Sequence, residues 1–172
     1  MAKWFFSPSS QQANIVEGYN EELWNNQLTD IIIPIMERHG ETCMRNRLTE
    51  TWKEHYERSN AWDADYHIAL HTNAAGSGEW QDRADGPTVG CGDSTNPLRK
   101  GTILATFIFE ELAKIWPTTG RGVVTYTFAE VTKTTAVAAY VENGYHDNKV
   151  DQAFLLGNKT KIAVAIVKGC PA

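Results

Sequence analysis

Short apolar runs alternate with amphipathic stretches along most of the chain. The runs are of strand length and occupy residues 3–6, 42–45, 66–70, 88–91, 123–127 and 136–142. Helical spacing of apolar residues fills much of the rest, at residues 21–38, 49–60, 96–115 and 148–169. This alternation predicts a single-domain α/β fold with a twisted, mainly parallel or mixed central sheet of about five to six strands, covered by helices on both faces.

Glycine and proline set the predicted limits of these elements. Pro8 is expected to break the first strand, and Gly40 to end the first helix. Pro34 removes a helical hydrogen bond and predicts a kink or an early end there. Asn96-Pro97 has the residue types that open a helix, and Gly157 predicts an interruption in the last one.

Composition excludes several classes of protein. The chain has 172 residues with a formal net charge of -5, so a core of full size is possible, and no basic stripe predicts nucleic acid as a partner. Three cysteines without a CxxC pair predict neither a disulfide framework nor a cysteine zinc cluster. The amino-terminal apolar run is too short for a signal peptide or a membrane span, so synthesis in the cytoplasm without membrane insertion is expected.

Two apolar runs end on a residue that can do chemistry. His71 follows the run at 66–70, and Glu142 ends the run at 136–141. In open α/β sheets ligands bind beyond the carboxyl ends of strands, so both side chains are predicted to lie at a site. His67 points to the same side of its strand but lies about 13 Å from His71, too far to share one metal ion. We therefore interpret His67 as a buried core residue or a support for His71.

Three segments resemble a known family. "DYHIALHTNAA", "VENGYHDNKVDQAFLL" and "NEELWNNQLTDIIIPIMERHG" are similar, in order and spacing, to segments of the zinc-dependent N-acetylmuramoyl-L-alanine amidases, the family of bacterial autolysins and phage endolysins. The resemblance covers nearly the whole chain, residues 1–172, and implies one amidase catalytic domain without a separate wall-binding domain. It implies hydrolysis of the amide bond between N-acetylmuramic acid and the L-alanine of the stem peptide, with peptidoglycan as the partner.

The resemblance also implies roles for individual residues. His71 and Glu21 would bind Zn²⁺, and Glu142 would be the general base. The interval from Glu21 to Gly40 fits the family better than the interval from Glu22. A glycine-rich and asparagine-rich loop at 73–86, with Trp80, would either border a shallow substrate groove or be a plain solvated loop.

The first metal ligand departs from the family pattern. Members present a histidine in a loop after the first strand, whereas this chain has "SPSSQQAN" there and no histidine before His39. Gln11 is the replacement that we predict, with Ser10, His146 or water as alternatives. Losing an imidazole weakens zinc binding, because catalytic zinc usually has three protein ligands and a water.

Three functions therefore remain open. The first is a zinc-dependent peptidoglycan amidase, which without a signal peptide would act on the cell wall after release, as a phage endolysin does. The second is a degenerate, metal-free homologue that binds cell-wall fragments or a partner without catalysis. The third is a zinc peptidase on a similar sheet.

Overall fold

The computed structural model describes residues 1–13, 15–76 and 78–171, so the predicted loops around residues 14 and 77 lie partly outside the described residues. The strands are β1 (Lys3–Pro8), β2 (Ile15–Val16), β3 (Tyr19–Asn20), β4 (Thr42–Arg45), β5 (Tyr66–Asn73), β6 (Thr88–Cys91), β7 (Gly122–Thr125) and β8 (Val137–Tyr145). The helices are α1 (Glu21–Arg38), α2 (Trp52–Ala61), α3 (Lys100–Ala113), α4 (Ala129–Thr132), α5 (Lys149–Gly157) and α6 (Lys159–Gly169).

A mixed central sheet organises the domain. Its strand order is β4-β1-β5-β8-β6-β7, and a separate two-stranded hairpin joins β2 and β3. The pairs β1/β4, β1/β5, β5/β8 and β6/β7 are parallel, whereas β6 runs antiparallel to β8. The predicted fold class is therefore confirmed: a single α/β domain with a mostly parallel sheet of six strands.

The two faces of the sheet are chemically different. Ile68 and Leu70 of β5, together with Ala139 and Val141 of β8, are fully buried in the main apolar core with the inner sides of α1, α3 and α6. Alternate residues of the same strands point to the other face, because side chains alternate along a strand. That second face carries polar side chains and is covered in part by α2 and α4.

Several predicted limits are corrected. The first strand continues through Pro8, and α1 contains Pro34 and still reaches Arg38. Helix α3 begins at Lys100 rather than at Asn96. The break between α5 and α6 follows Gly157 as predicted, and Asn148 caps α5 by accepting hydrogen bonds from two backbone amides. The β2/β3 hairpin and the four-residue helix α4 were not predicted from the sequence.

Within the described ranges, none of the helices combines the length and the apolarity needed to cross a bilayer.

Candidate active site

The site lies where the carboxyl ends of β5 and β8 meet. His71 on β5 stands opposite Glu142 on β8 in the parallel ladder. Paired residues of neighbouring strands point to the same face, so both side chains emerge on the polar face of the sheet. The Asn143 side-chain amide donates to the His71 carbonyl at 3.1 Å, which ties the two strands together at this level.

The first turn of α1 brings a second carboxylate to His71. Glu21 is fully buried, and its Oε1 accepts from Nδ1 of His71 at 2.8 Å. Asn20 fixes the start of this helix, because its side chain accepts from the Leu23 amide at 2.7 Å. Glu22 lies on another side of the helix, where it accepts from the Gln12 side chain at 3.3 Å. The structure thus brings Glu21, rather than Glu22, to His71.

Gln11 reaches the same imidazole nitrogen. Its side-chain Nε2 lies 3.3 Å from Nδ1 of His71. A ring nitrogen that donates to the Glu21 carboxylate cannot also accept from an amide NH₂. The Gln11 amide therefore fits better when it is rotated so that its oxygen, rather than its NH₂ group, faces Nδ1. Gln11, Glu21 and His71, which are far apart in the sequence, therefore meet at one place.

Glu142 is a buried carboxylate with an unusual environment. Its side chain is 8% exposed, and Oε2 has no hydrogen-bond partner among the described residues. Burial raises the pKa of Glu142 to about 7, with the charge of His71 lowering it and that of Glu21 raising it further. A carboxyl group of this kind can both accept and return a proton near neutral pH.

Glu21 favours the charged form of His71. Burial lowers the pKa of His71, but the hydrogen bond and the charge of Glu21 outweigh burial and raise the pKa above its ordinary value. The Glu21 carboxylate and the His71 imidazole, which bind a proton between them here, can instead bind a metal cation.

A buried polar cluster behind His71 was not predicted. Its centre is the Glu130 carboxylate of α4, which accepts from the Ser7 hydroxyl and from Nε2 of His67 at 3.2 Å. The other carboxylate oxygen lies 3.9 Å from Nε2 of His71. Nδ1 of His55 lies 3.0 Å from the Ser7 hydroxyl. His67 is therefore a buried support next to the site, as interpreted, and Glu130 links it to His71.

The polar cluster shifts the pKa values of Glu130 and His55. Burial raises the pKa of Glu130, but its contacts with His67, His71 and Ser7 outweigh burial and hold the pKa below its ordinary value. Burial lowers the pKa of His55. Glu130 is thus an anion that faces the far side of the His71 ring from Glu21.

Two sequence alternatives for the first ligand differ in position. Ser10 lines the same cavity as Gln11 and His71. His146 instead stacks on Tyr19 with ring centroids 5.3 Å apart, and its Nδ1 lies 3.1 Å from the Thr72 hydroxyl. Ser10 is next to Gln11 in the chain, whereas burial lowers the pKa of His146 and the nearby charge of Glu21 raises it.

Trp80 does not line the cavity at His71. Its indole nitrogen donates to Glu17 at 2.5 Å, and the Lys149 ammonium lies 5.6 Å from the ring centroid. The loop that carries Trp80 is held by Asp147, whose carboxylate accepts from the amides of Ala75 and Gly76. Trp80 therefore lies outside the lining of this cavity, which leaves both interpretations of its loop as predictions.

Metal-ligand chemistry at the site is limited to a mixed set of donors. In the described part of the chain, no group of three His, Cys, Asp or Glu side chains is arranged to hold a metal ion. The convergent set consists of one imidazole, one carboxylate and one amide, from His71, Glu21 and Gln11. Such donors fit a divalent cation, but they bind zinc more weakly than a set with two imidazoles.

Solved structures share this architecture. The amidase AmiC2 of Nostoc punctiforme has a TM-score of 0.84 at 20% identity, with 98% of this chain and 94% of that chain covered. The catalytic domain of the amidase CwlV from Bacillus (Paenibacillus) polymyxa has a TM-score of 0.83 at 18% identity, with 98% and 96% covered. The catalytic domain of the CD27L endolysin, which targets Clostridia difficile, has a TM-score of 0.77 at 21% identity, with 98% and 96% covered.

Sequence comparison gives the family directly. A comparison with curated proteins gives no significant match. The family model of the N-acetylmuramoyl-L-alanine amidases, in contrast, matches residues 9–171, which is nearly the whole chain and includes Gln11, Glu21, His71 and Glu142. The chain therefore belongs to the N-acetylmuramoyl-L-alanine amidase family, whose members are peptidoglycan hydrolases.

Proposed function

We propose that this amidase cleaves the lactyl–L-alanine bond of peptidoglycan with Glu142 as general base and with Zn²⁺ held by Gln11, Glu21 and His71. The observation that carries the proposal is the convergence of these side chains at one end of the sheet, with a buried carboxylate oxygen of Glu142 left without a partner in the described structure. Cell-wall peptidoglycan is the proposed partner and the cell wall the proposed place of action.

Zinc fits this site through the chemistry of its donors. Imidazole nitrogen and carboxylate oxygen are ordinary zinc ligands, and a rotated Gln11 amide supplies a neutral oxygen. When bound, zinc polarises an amide carbonyl and makes water more acidic. The Glu130 carboxylate lies 3.9 Å from Nε2 of His71, beyond hydrogen-bonding distance, and acts on the ring through its negative charge.

Glu142 carries the proton in the proposed reaction. It removes a proton from the attacking water, whose oxygen forms a bond to the lactyl carbonyl carbon. The carbon–nitrogen bond then breaks, and Glu142 passes the proton to the departing amino group of L-alanine. One water is consumed, and the products are a free lactyl carboxylate and a stem peptide with a new amino terminus.

The general base is tested with purified cell wall. The wild-type enzyme is expected to release new L-alanine amino termini, and Glu142→Gln to reduce kcat by about 10²-fold to 10⁴-fold, because general-base catalysis contributes about that much. Circular dichroism and a thermal melt check that the variant is folded. A folded Glu142→Gln variant with normal kcat would refute the role of this carboxylate.

The carboxylate ligand has a matched control on the same helix turn. Glu21→Gln is expected to lower the zinc content of the purified protein and its activity together, because Glu21 contacts His71. Glu22→Gln is expected to change neither, because Glu22 contacts Gln12 instead. Elemental analysis measures zinc, and chelator treatment followed by zinc addition shows whether the loss is reversible. Equal effects of the two substitutions would contradict the assignment of Glu21.

The alternative is a metal-free homologue that binds wall fragments without hydrolysis. The mixed donor set, with an amide in place of an imidazole, is the observation that favours it. The wall assay separates these functions, because the alternative releases no amino termini. A zinc peptidase would release amino termini other than L-alanine.

A further inference from the structure

An aromatic groove opens beside His71 on the polar face of the sheet. The cavity has a volume of about 550 Å³, which lies within the usual range for small-ligand sites, and Gln11 and His71 form part of its lining. It is therefore continuous with the proposed catalytic centre rather than a separate surface pocket.

Flat aromatic rings line this groove. Trp52 lies at the start of α2 with 58% of its surface exposed, and Phe128 lies just before α4 with 46% exposed. Exposed aromatic rings are costly in water, so two of them around one cavity point to an apolar ligand face. Both belong to elements that cover the polar face of the sheet.

The rings form a continuous path to the catalytic centre. Phe128 packs on Tyr140 with centroids 4.9 Å apart, and Tyr140 stacks on His71 at 4.4 Å. A ligand seated on Phe128 therefore lies against the same aromatic stack that ends at the proposed metal ligand. The groove is placed to hold a group bonded to the scissile amide.

The polar lining is rich in hydroxyl groups. Besides His71, its charged groups are Lys133, with which no carboxylate in the described ranges forms an ion pair, and Glu130, whose carboxylate already accepts from Ser7 and His67 inside the protein. Hydroxyl groups of the lining belong to Ser10, Thr127 and Thr132. This lining can donate hydrogen bonds to, and accept them from, a ligand with many hydroxyl and amide groups.

We propose that the groove formed around Trp52, Phe128 and Tyr140 binds the N-acetylated sugar ring of the substrate. A pyranose presents a flat face of C–H bonds to an aromatic ring, and its hydroxyl and acetamido groups can bond to the hydroxyl-bearing lining and to Lys133. This proposal rests on the proposed amidase function and assigns the groove to the acyl side of the cleaved bond. The stem peptide then leaves the centre on another side.

Kinetics on two substrates test the assignment. Both contain the lactyl–L-alanine bond, but one carries N-acetylmuramic acid and the other begins at the lactyl group without a sugar. Trp52→Ala and Phe128→Ala are expected to raise KM for the sugar-bearing substrate by roughly tenfold, or about 1.4 kcal/mol. The same substitutions are expected to leave KM for the sugar-free substrate unchanged.

Phe107 provides the matched control. It is 48% exposed on α3, close to the 46% of Phe128, and it lies outside the groove. Phe107→Ala is expected to change neither KM. Trp52→Phe keeps a ring at the groove and is expected to retain most of the affinity, which guards against a purely structural effect. Equal increases in KM for both substrates would overturn the proposal, and so would the absence of any increase.

Direct binding separates this proposal from the proposed reaction. Calorimetry with the methylamide of N-acetylmuramic acid, which carries no charge, requires no hydrolysis. Binding that is lost in Trp52→Ala and Phe128→Ala supports the groove even if the protein fails to hydrolyse cell wall. Hydrolysis of cell wall without such binding would refute the sugar-binding role of the groove, but not the proposed amidase reaction. A Lys133→Met variant that raises KM for both substrates equally would instead identify the groove with the stem peptide.

Discussion

Asp151 offers a quantitative test of how the structure holds the end of β8 next to Glu142. Its buried carboxylate accepts three hydrogen bonds: from the Trp116 indole at 2.8 Å, from the Tyr145 amide at 2.8 Å and from the Gly86 amide at 2.7 Å. It thereby fastens the last residue of β8 to the loop before β6 and to the end of the segment that follows α3. Removing it is expected to loosen three parts of the fold at once.

The size of the effect follows from the groups left without a partner. Asp151→Ala leaves two backbone N–H groups and one indole N–H unsatisfied, at about 1–3 kcal/mol each before water enters. We therefore expect the free energy of unfolding to fall by about 3–5 kcal/mol, which corresponds to a decrease in Tm of about 6–20 °C for a domain of this size.

Asparagine separates the acceptor from the charge. The Tyr145 and Gly86 amides share Oδ2, whereas the Trp116 indole uses Oδ1, so Asp151→Asn can keep both backbone bonds and lose only the indole bond. Burial raises the pKa of Asp151 above its ordinary value although its hydrogen bonds oppose this, so the charge itself is costly in the fold. We expect a loss of about 1–2 kcal/mol for Asp151→Asn.

Urea unfolding followed by tryptophan fluorescence measures these differences. Asp82→Ala, an exposed carboxylate in the same loop region, serves as the control and is expected to change stability by less than about 0.5 kcal/mol. A loss below about 1 kcal/mol for Asp151→Ala would refute the reasoning. So would equal losses for the alanine and asparagine variants.

Three further predictions follow from the structure. Gly144→Ala is expected to destabilise the fold by more than about 2 kcal/mol in urea unfolding, because Gly144 has φ +70° and an added Cβ would lie 2.4 Å from the Trp116 ring; unchanged stability would contradict this. Leu28→Ala on α1, which removes a fully buried side chain, is expected to cost about 2–5 kcal/mol in the same assay, and a loss below 1 kcal/mol would show that the core closes around the gap. Gln11→His is expected to raise the affinity for Zn²⁺ measured by calorimetry, and Gln11→Ala to lower it, because an imidazole is a stronger zinc ligand than an amide; equal affinities in all three proteins would place the first ligand elsewhere.

Local patterns in the sequence predicted most of the secondary structure. The strand at 42–45 and the helix at 21–38 have the predicted limits, since continuous apolar runs and helical spacing are local properties. The start of α3 was predicted wrongly, because Asn96 is a good cap residue by type, yet the helix begins at Lys100 after Arg99. A four-residue helix such as α4 has no period to detect.

The site was predictable where strand ends carry the chemistry. His71 and Glu142 could be named from apolar runs that end on a polar residue, and the family resemblance pointed to Glu21 and Gln11. Tyr140 could have been found too, because it lies two residues before Glu142 and thus on the same face of the strand. The metal and catalytic roles of these residues stay predictions until they are tested.

The sequence by itself determined which segments become strands and helices and which polar residues stand at strand ends, because these depend on neighbours in the chain. Only the tertiary structure decided that β6 reverses beside β8, that Glu130 lies behind His71, and that Trp52 and Phe128 line one groove. Those features join residues 50 to 76 positions apart, and such contacts depend on sheet order and helix packing, which no local pattern of residues encodes.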